Sequence, residues 1–216
     1  MKSISRELIF LLLLIFLGST SNFLRAQPVI HDLQEGDLIF QNSECGDLCQ
    51  AINQVTPAIY GQHFSHVALL FKEKDEWWVV EATGDQVQLN RLDDFIKRSK
   101  GPILVGRLNA PFHDLIPAAL KIAKQQVGLP YDDEFLYDNG KYYCSELIYD
   151  AFKEANHGED VFEMQPMTFK KPGEKEYFQN WVEYYQRKGM EIPEGELGCN
   201  PGGMGNSEKL EIYKFR

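Results

Sequence analysis

The pattern of apolar and polar positions predicts strands and helices that follow one another in blocks. Short apolar runs bounded by turn residues predict buried strands, and an alternating segment predicts a strand at the end of the chain. The charged segment 72–76 separates two apolar runs and predicts a hairpin turn. The predicted strands are Leu38–Phe40, Phe64–Phe71, Trp77–Ala82, Gln86–Leu89, Ile103–Leu108 and Leu210–Phe215.

Helical periodicity, in which apolar residues recur three and four positions apart, predicts helices between these strands. The predicted helices are Asp47–Asn53, Leu92–Lys100, Asp114–Val127, one that starts near Cys144, and Lys175–Lys188. The segment Pro193–Ser207 is rich in glycine and proline and predicts a long irregular loop. Hairpins and helices in blocks favour an α+β fold in which an antiparallel sheet packs against helices.

The helix that starts near Cys144 carries the first candidate for chemistry. The turn residues Asp138-Asn139-Gly140 precede it, and its apolar stripe consists of Leu147, Ile148, Ala151 and Phe152. A cysteine at this place meets unpaired backbone N–H groups at the positive end of the helix dipole, which favours the thiolate. The alternatives are a buried structural cysteine and one half of a disulfide.

The N-terminus has the pattern of a secretory signal peptide over residues 1–26. Basic residues precede the apolar run Leu8–Leu17, and small and polar residues follow it. Cleavage after Ala26, or alternatively near Ser21, predicts a secreted or periplasmic protein that consists of a single domain, residues 27–216. The apolar run is shorter than the roughly 20 residues that cross a bilayer. We therefore expect no stable membrane span after cleavage, with a retained anchor as the alternative.

The formal net charge of −10 argues against binding to nucleic acid through the phosphate backbone. Secretion permits disulfides, and Cys45 and Cys49 are four positions apart. In a regular helix this spacing gives poor disulfide geometry, so a bridge needs a loop or a distorted turn. Two separate thiols are the alternative. No second cysteine or histidine pair shows ligand spacing, so we expect no metal site and no cofactor.

His66 and Glu81 stand out because each places a polar group at the end of a predicted apolar strand. Burying such a group is costly unless its polar atoms are used. The predicted hairpin brings the two residues near each other, roughly opposite across the strand pair. Cysteine hydrolases need a thiolate, a histidine and a third group that orients the histidine. Taken alone, each residue favours a structural interpretation: His66 as a histidine satisfied by the backbone, and Glu81 as a charge at a strand end that meets solvent.

Three short motifs resemble those of the NlpC/P60 cysteine peptidases. They are Gly36-Asp37-Leu38-Ile39-Phe40, Ser65-His66-Val67-Ala68-Leu69-Leu70 and Tyr143-Cys144-Ser145-Glu146-Leu147. The cysteine motif follows the strand motifs instead of preceding them. That order is similar to the circularly permuted papain-like branch, the YiiX/YebB-like hydrolases. The resemblance covers about residues 33–155.

The resemblance implies a circularly permuted papain-like fold with a Cys–His–Glu triad. In that triad Cys144 is the nucleophile, His66 the general base and acid, and Glu81 the group that orients the histidine. A tyrosine beside the cysteine is also typical of the family; it would contact the substrate or the oxyanion, with packing alone as the alternative. The candidates here are Tyr143, Tyr142 and, in the family-like segment 128–132, Tyr131.

The expected function is that of a secreted cysteine peptidase or amidase. It would cleave an amide bond of a peptide, a cell-wall fragment or a related compound through a thioacyl-enzyme intermediate. The first alternative is a thioesterase or acyltransferase that uses the same triad on lipid acyl groups. The second is an inactive binding protein on the same scaffold. A long apolar groove beside Cys144 favours lipid, and a narrow polar cleft favours peptide.

Overall fold

The computed structural model describes residues 29–30, 32–43 and 45–215, and the predicted signal peptide lies outside them. The described strands are β1 (Val29–Ile30), β2 (Leu38–Gln41), β3 (His66–Glu73), β4 (Glu76–Thr83), β5 (Gln86–Arg91), β6 (Ile103–Leu108), β7 (Gln165–Pro166), β8 (Leu197–Gly198) and β9 (Leu210–Phe215). Seven of them form a sheet in the order β1-β9-β6-β2-β3-β4-β5, and β7 pairs with β8. Apart from β1, which runs parallel to β9, the neighbours in the large sheet are antiparallel.

The described helices are α1 (Asp47–Val55), α2 (Leu92–Lys97), α3 (Ile116–Gln125), α4 (Cys144–Ala155), α5 (Gln179–Lys188) and α6 (Pro201–Gly205), with a 3₁₀ helix at Ala110–Leu115. Each strand and helix predicted from the periodicity is present, and the α+β prediction is confirmed. None of the helices in the part of the chain that the structure describes is long and apolar enough to cross a membrane.

Several boundaries differ from the prediction. The segment predicted as the start of a helix at Asp114 is still 3₁₀, and α3 begins two residues later with a proline in its first turn. Helix α5 begins later than Lys175 because the preceding residues pair with another segment: the Phe178 N–H donates to the Phe169 carbonyl at 2.9 Å.

The prediction of an irregular loop over Pro193–Ser207 is wrong. Strand β8 and helix α6 lie within it. Pro201 opens α6, and the Asn200 side chain accepts a hydrogen bond from the Gly203 N–H at 2.8 Å. A helix of five residues has no apolar periodicity to detect, so only these terminal signals mark it.

The large sheet lies between two apolar layers. Along β2 and β3 successive side chains point to opposite faces, so Leu38 and Leu69 contact one layer while Ile39 and Ala68 contact the other. Helices α3 and α4 cover the first face, and α2 covers part of the second. Both faces are buried, which explains why β3 has an almost continuous apolar sequence.

Cys45 and Cys49 are joined by a disulfide. Helix α1 begins only at Asp47, so Cys45 lies before the regular helix, and Gly46 with φ of 60° turns the chain between them. This is the distorted lead-in that a bridge between cysteines four positions apart requires. The bridge fixes the start of α1, and residues farther along that helix line the cavity described below.

Candidate active site

Cys144 is the first residue of α4, as the turn and the apolar stripe predict. Tyr143 before it is extended, with φ of −89° and ψ of 168°. The Glu146 carboxylate accepts hydrogen bonds from the Tyr143 N–H at 3.3 Å and from the Asp138 N–H at 3.2 Å. Burial raises the pKa of Glu146 to about 8. Glu146 therefore connects the start of the helix to the preceding turn. Cys144 lies at that start, and only 5% of it is exposed.

His66 and Glu81 meet on the β3–β4 hairpin. Their Nε2 and Oε2 atoms are 2.5 Å apart, and both side chains are buried. The hairpin turn is tighter than predicted and consists of Lys74 and Asp75, both with positive φ. Leu69 consequently pairs with Val80. Glu81 was predicted to lie roughly opposite His66, but this register places it two positions away from that point, diagonally across the strand pair. Side chains two positions apart share a face, and the diagonal brings the ring and the carboxylate together.

The second oxygen of Glu81 has its own partners. Oε1 accepts a hydrogen bond from Asn90 Nδ2 at 2.9 Å and another from the Arg98 guanidinium. Burial by itself raises the pKa of Glu81, but the hydrogen bond and charge of His66, together with Arg98, outweigh it and hold this pKa below its usual value. The buried carboxylate is therefore ionised and fully hydrogen-bonded.

Cys144 is the second group that acts on His66, and it is close enough to raise the pKa of the ring. Burial disfavours the imidazolium, but the hydrogen bonds and charges of Cys144 and Glu81 outweigh it and raise the pKa of His66 to about 9. Because Nε2 faces Glu81, Nδ1 is the ring atom left for the sulfur. His66 is thus hydrogen-bonded to Glu81 and influenced by Cys144, and its ring is held in the protonated form near neutral pH.

The three candidate tyrosines differ in where their hydroxyl groups lie. The Tyr143 hydroxyl accepts the Cys199 N–H at 3.1 Å and is 3.8 Å from Cys199 Sγ. Tyr142 lies on the far side, in a surface cleft that contains Asp150. Tyr131 and Tyr143 both line the same cavity as Cys144, but the Tyr131 hydroxyl makes no hydrogen bond within the described residues. Tyr131 is therefore the candidate whose hydroxyl remains available to a ligand.

A cavity of about 170 Å³ opens beside Cys144. Helix α1, helix α5 and the segments around β7 and β8 form most of its wall. Ser65, next to the histidine, also reaches it; its hydroxyl accepts the Ser43 N–H at 3.0 Å and donates to Asn42 at 3.1 Å. The cavity places space for a substrate directly against the sulfur.

A model of the family described as permuted papain-like amidase enzyme, YaeF/YiiX, C92 family, matches residues 32–212. The chain belongs to this family. The structure of this C92 chain is similar to the crystal structure of metalloprotein YiiX from Escherichia coli O157:H7. That structure is 26% identical, matches 88% of this chain and 98% of its own, and superposes with a TM-score of 0.70. The predicted permuted papain-like fold and family are confirmed.

YiiX of Escherichia coli K12, a protein described as uncharacterised, is 30% identical to this C92 chain over 124 residues. The match covers 56% of this chain and 58% of YiiX, so it spans less than two thirds of that relative. Among the described residues of this chain, no group of three or more histidine, cysteine, aspartate or glutamate side chains is placed to hold a metal ion.

Two contacts of this C92 site were not predicted from the sequence. Asn90 reaches Glu81 because β5 pairs with β4 in a register that puts Val79 opposite Asn90, again one diagonal away. Arg98 reaches the same carboxylate because α2 ends at Lys97, and the next residue falls beside the buried strand. One sequence pattern could have indicated Asn90: it is a polar residue directly after the neighbouring predicted strand, two positions from the residue opposite Glu81.

Proposed function

We propose that the protein hydrolyses an amide bond, with Cys144 as nucleophile, His66 as general acid and base, and Glu81 as the group that orients His66. The buried hydrogen bond between His66 and Glu81, with Cys144 close enough to raise the pKa of His66, is the observation that carries this proposal. Membership of an amidase family supports the bond type. A peptide or another amidated compound is the substrate class that fits both the arrangement of these residues and the family membership.

In the first step Cys144 Sγ attacks the carbonyl carbon of the amide. The free backbone N–H groups at the start of α4, with Cys144 first among them, bind the oxyanion, and the Tyr131 hydroxyl is the second donor. The C–N bond then breaks, and the leaving nitrogen takes the proton of His66 Nδ1. The products of this step are an amine and a thioester on Cys144.

In the second step His66, now neutral, accepts a proton from a water molecule that attacks the thioester carbon. The C–S bond breaks, the carboxylic acid leaves, and the imidazolium is restored beside the sulfur. Glu81 remains ionised throughout, because Asn90 and Arg98 keep its other oxygen hydrogen-bonded. Its work is to hold the ring in place and to stabilise its charged form.

We also propose that this hydrolysis takes place in an oxidising compartment outside the cytoplasm. The Cys45–Cys49 disulfide, with Cys45 exposed, fits such a compartment. The signal pattern of residues 1–26 points the same way, although it lies outside the described residues. Detection of a mature chain that begins near residue 27 in the periplasm or the culture medium would support the proposal, and a full-length cytoplasmic chain would contradict it.

Alkylation of Cys144 by iodoacetamide at pH 6–7, followed by peptide mapping, tests the site without knowledge of the substrate. His66→Ala should slow alkylation strongly, because the proposed acid–base partner of the sulfur is gone. His63→Ala is the matched control, since His63 is exposed and lies three residues earlier. Equal rates in the two variants and the unchanged protein would refute the ion pair and favour an inactive binding protein.

Turnover of a library of peptide and cell-wall amides provides the second measurement. Cys144→Ala should abolish hydrolysis of any true substrate and leave the far-ultraviolet circular dichroism spectrum unchanged. A substrate that the Cys144→Ala protein hydrolyses as fast as the unchanged protein would contradict the proposed nucleophile.

A further inference from the structure

We propose that the cavity beside Cys144 binds the acyl part of the substrate and selects one apolar group of about the size of a benzene ring. This inference rests on the proposed function, because it assigns the part of the amide that remains attached to Cys144. It names a class of substrate: amides whose acyl side carries a single aromatic or branched aliphatic group.

The position of His66 decides which side of the amide enters the cavity. Cys144 and Ser145 belong to the cavity wall, whereas His66 lies outside it. The leaving nitrogen must reach His66 to receive its proton, so the leaving group lies on the histidine side of the sulfur. The acyl part, which stays bonded to Cys144, then points toward the walls formed by α1 and α5.

Part of the cavity wall is apolar. It consists of Ile52 and Val55 of α1 and of an aromatic group made of Phe135, Phe169 and Trp181. The Trp181 ring meets the other two edge to face, with centroid distances of 5.6 Å and 5.0 Å.

The one polar atom of Trp181 is already used within the fold. Its Nε1–H donates to the Ala51 carbonyl at 3.2 Å, which also ties α5 to α1. The indole therefore presents only its apolar surface to a ligand. Charged side chains do not line the cavity in the described part of the chain, so a charged acyl group would lose its hydration there without gaining a partner.

The size of the cavity limits the group. Its volume is about 170 Å³. An apolar protein cavity of about 150 Å³ binds benzene. A phenyl or an isobutyl group therefore fills the space beside Cys144, and a long fatty acyl chain would have to extend beyond these walls.

A series of N-acyl 4-nitroanilides tests the selection, with acetyl, isovaleryl, phenylacetyl, octanoyl and palmitoyl groups. Burial of each added methylene should raise kcat/KM about fourfold until the cavity is full. We expect the maximum at isovaleryl or phenylacetyl. A maximum at palmitoyl, or a flat series, would overturn the inference.

Val55→Phe provides the structural test, since the larger ring projects into the cavity from α1. It should lower kcat/KM for the phenylacetyl compound at least about tenfold and leave the acetyl compound within a few fold. Gln54→Phe is the matched control, because Gln54 is exposed on the same helix. If both variants change the series equally, the cavity does not select the acyl group.

Binding to the Cys144→Ala protein separates this inference from the proposed function. Titration calorimetry with acetamide, isovaleramide, phenylacetamide and octanamide needs no turnover. We expect isovaleramide and phenylacetamide to bind tightest, and Val55→Phe to remove that preference. Preference in binding without Cys144-dependent hydrolysis would contradict the function and keep the cavity assignment. Cys144-dependent hydrolysis without any preference in binding would support the proposed function and contradict the cavity assignment.

Discussion

Replacing Glu81 with glutamine tests the electrostatics of the site, because it removes one negative charge from a fully buried position and preserves the shape. In the unchanged protein both carboxylate oxygens are engaged, one by His66 and the other by Asn90 and Arg98. Glutamine offers one acceptor, and its NH₂ group must face a donor. Burial of His66 is then opposed by Cys144 alone, so we expect the pKa of His66 to fall.

The magnitude follows from the pKa of His66, which rises from 6.5 to about 9. One pKa unit corresponds to about 1.4 kcal/mol, so the protonated ring contributes about 3 kcal/mol to the free energy of unfolding. Because the folded-state pKa is raised, this contribution is complete below pH 6.5 and is lost as the pH rises through 9. The pKa of Glu81 is lowered, so its contribution is present near neutral pH and is lost in acid.

Urea unfolding at pH 6 and pH 10 measures these contributions. We expect Glu81→Gln to lose about 3 kcal/mol at pH 6, where it breaks a buried ion pair, and clearly less at pH 10. Glu76→Gln is the matched control on the same strand, since Glu76 is about half exposed and pairs with Arg91 at the surface. Amide hydrolysis by Glu81→Gln should fall about 10²- to 10⁴-fold. An equal loss of stability at both pH values, or one no larger than that of the control, would refute the reasoning.

Two further predictions concern stability. Gln41 is fully buried, and neither of its amide atoms has a hydrogen-bond partner in the described residues. Gln41→Met should therefore raise the free energy of unfolding, measured by urea titration, by about 1–2 kcal/mol. A lower free energy of unfolding would mean that the amide is hydrogen-bonded in solution. Replacing Cys45 and Cys49 together with alanine should lower the unfolding free energy by about 2 kcal/mol, since the disulfide closes a short loop. A reducing agent should lower the stability of the unchanged protein equally and leave the double variant unaffected, and a double variant as stable as the oxidised protein would contradict this.

The sequence predicted those parts of the site that depend on local signals. The start of α4 at Cys144 follows from a turn followed by an apolar stripe, and both lie within a dozen residues. The proximity of His66 and Glu81 follows from one charged turn between two apolar strands. The register did not follow, because positive φ at Lys74 and Asp75 makes the turn two residues long, and the sequence places charged residues on both sides of it.

Contacts between distant segments were beyond prediction for a different reason. Arg98 meets Glu81 only because α2 ends one residue before it, and that boundary depends on how the helix packs on the sheet. The Tyr143 hydroxyl meets Cys199 across 56 residues of chain, in a segment that the composition predicts as irregular. The proposal of Tyr131 rather than Tyr142 or Tyr143 therefore required the structure, since the sequence alone does not show which hydroxyl group is already hydrogen-bonded.

The elements that position the proposed triad and those that form the cavity belong to different parts of the chain. His66 and Glu81 lie on the central sheet, and α4 holds Cys144 against β3 and β4 through buried residues such as Leu147 and Ile148. Rigid elements fix these three groups, so their order along the chain can be permuted without disturbing the geometry. The apolar wall comes instead from α1, α5 and the segments around β7 and β8. Substitutions in these segments can change which acyl group binds while the reaction at the sulfur stays the same, so Val55→Phe and Glu81→Gln should alter selectivity and rate separately.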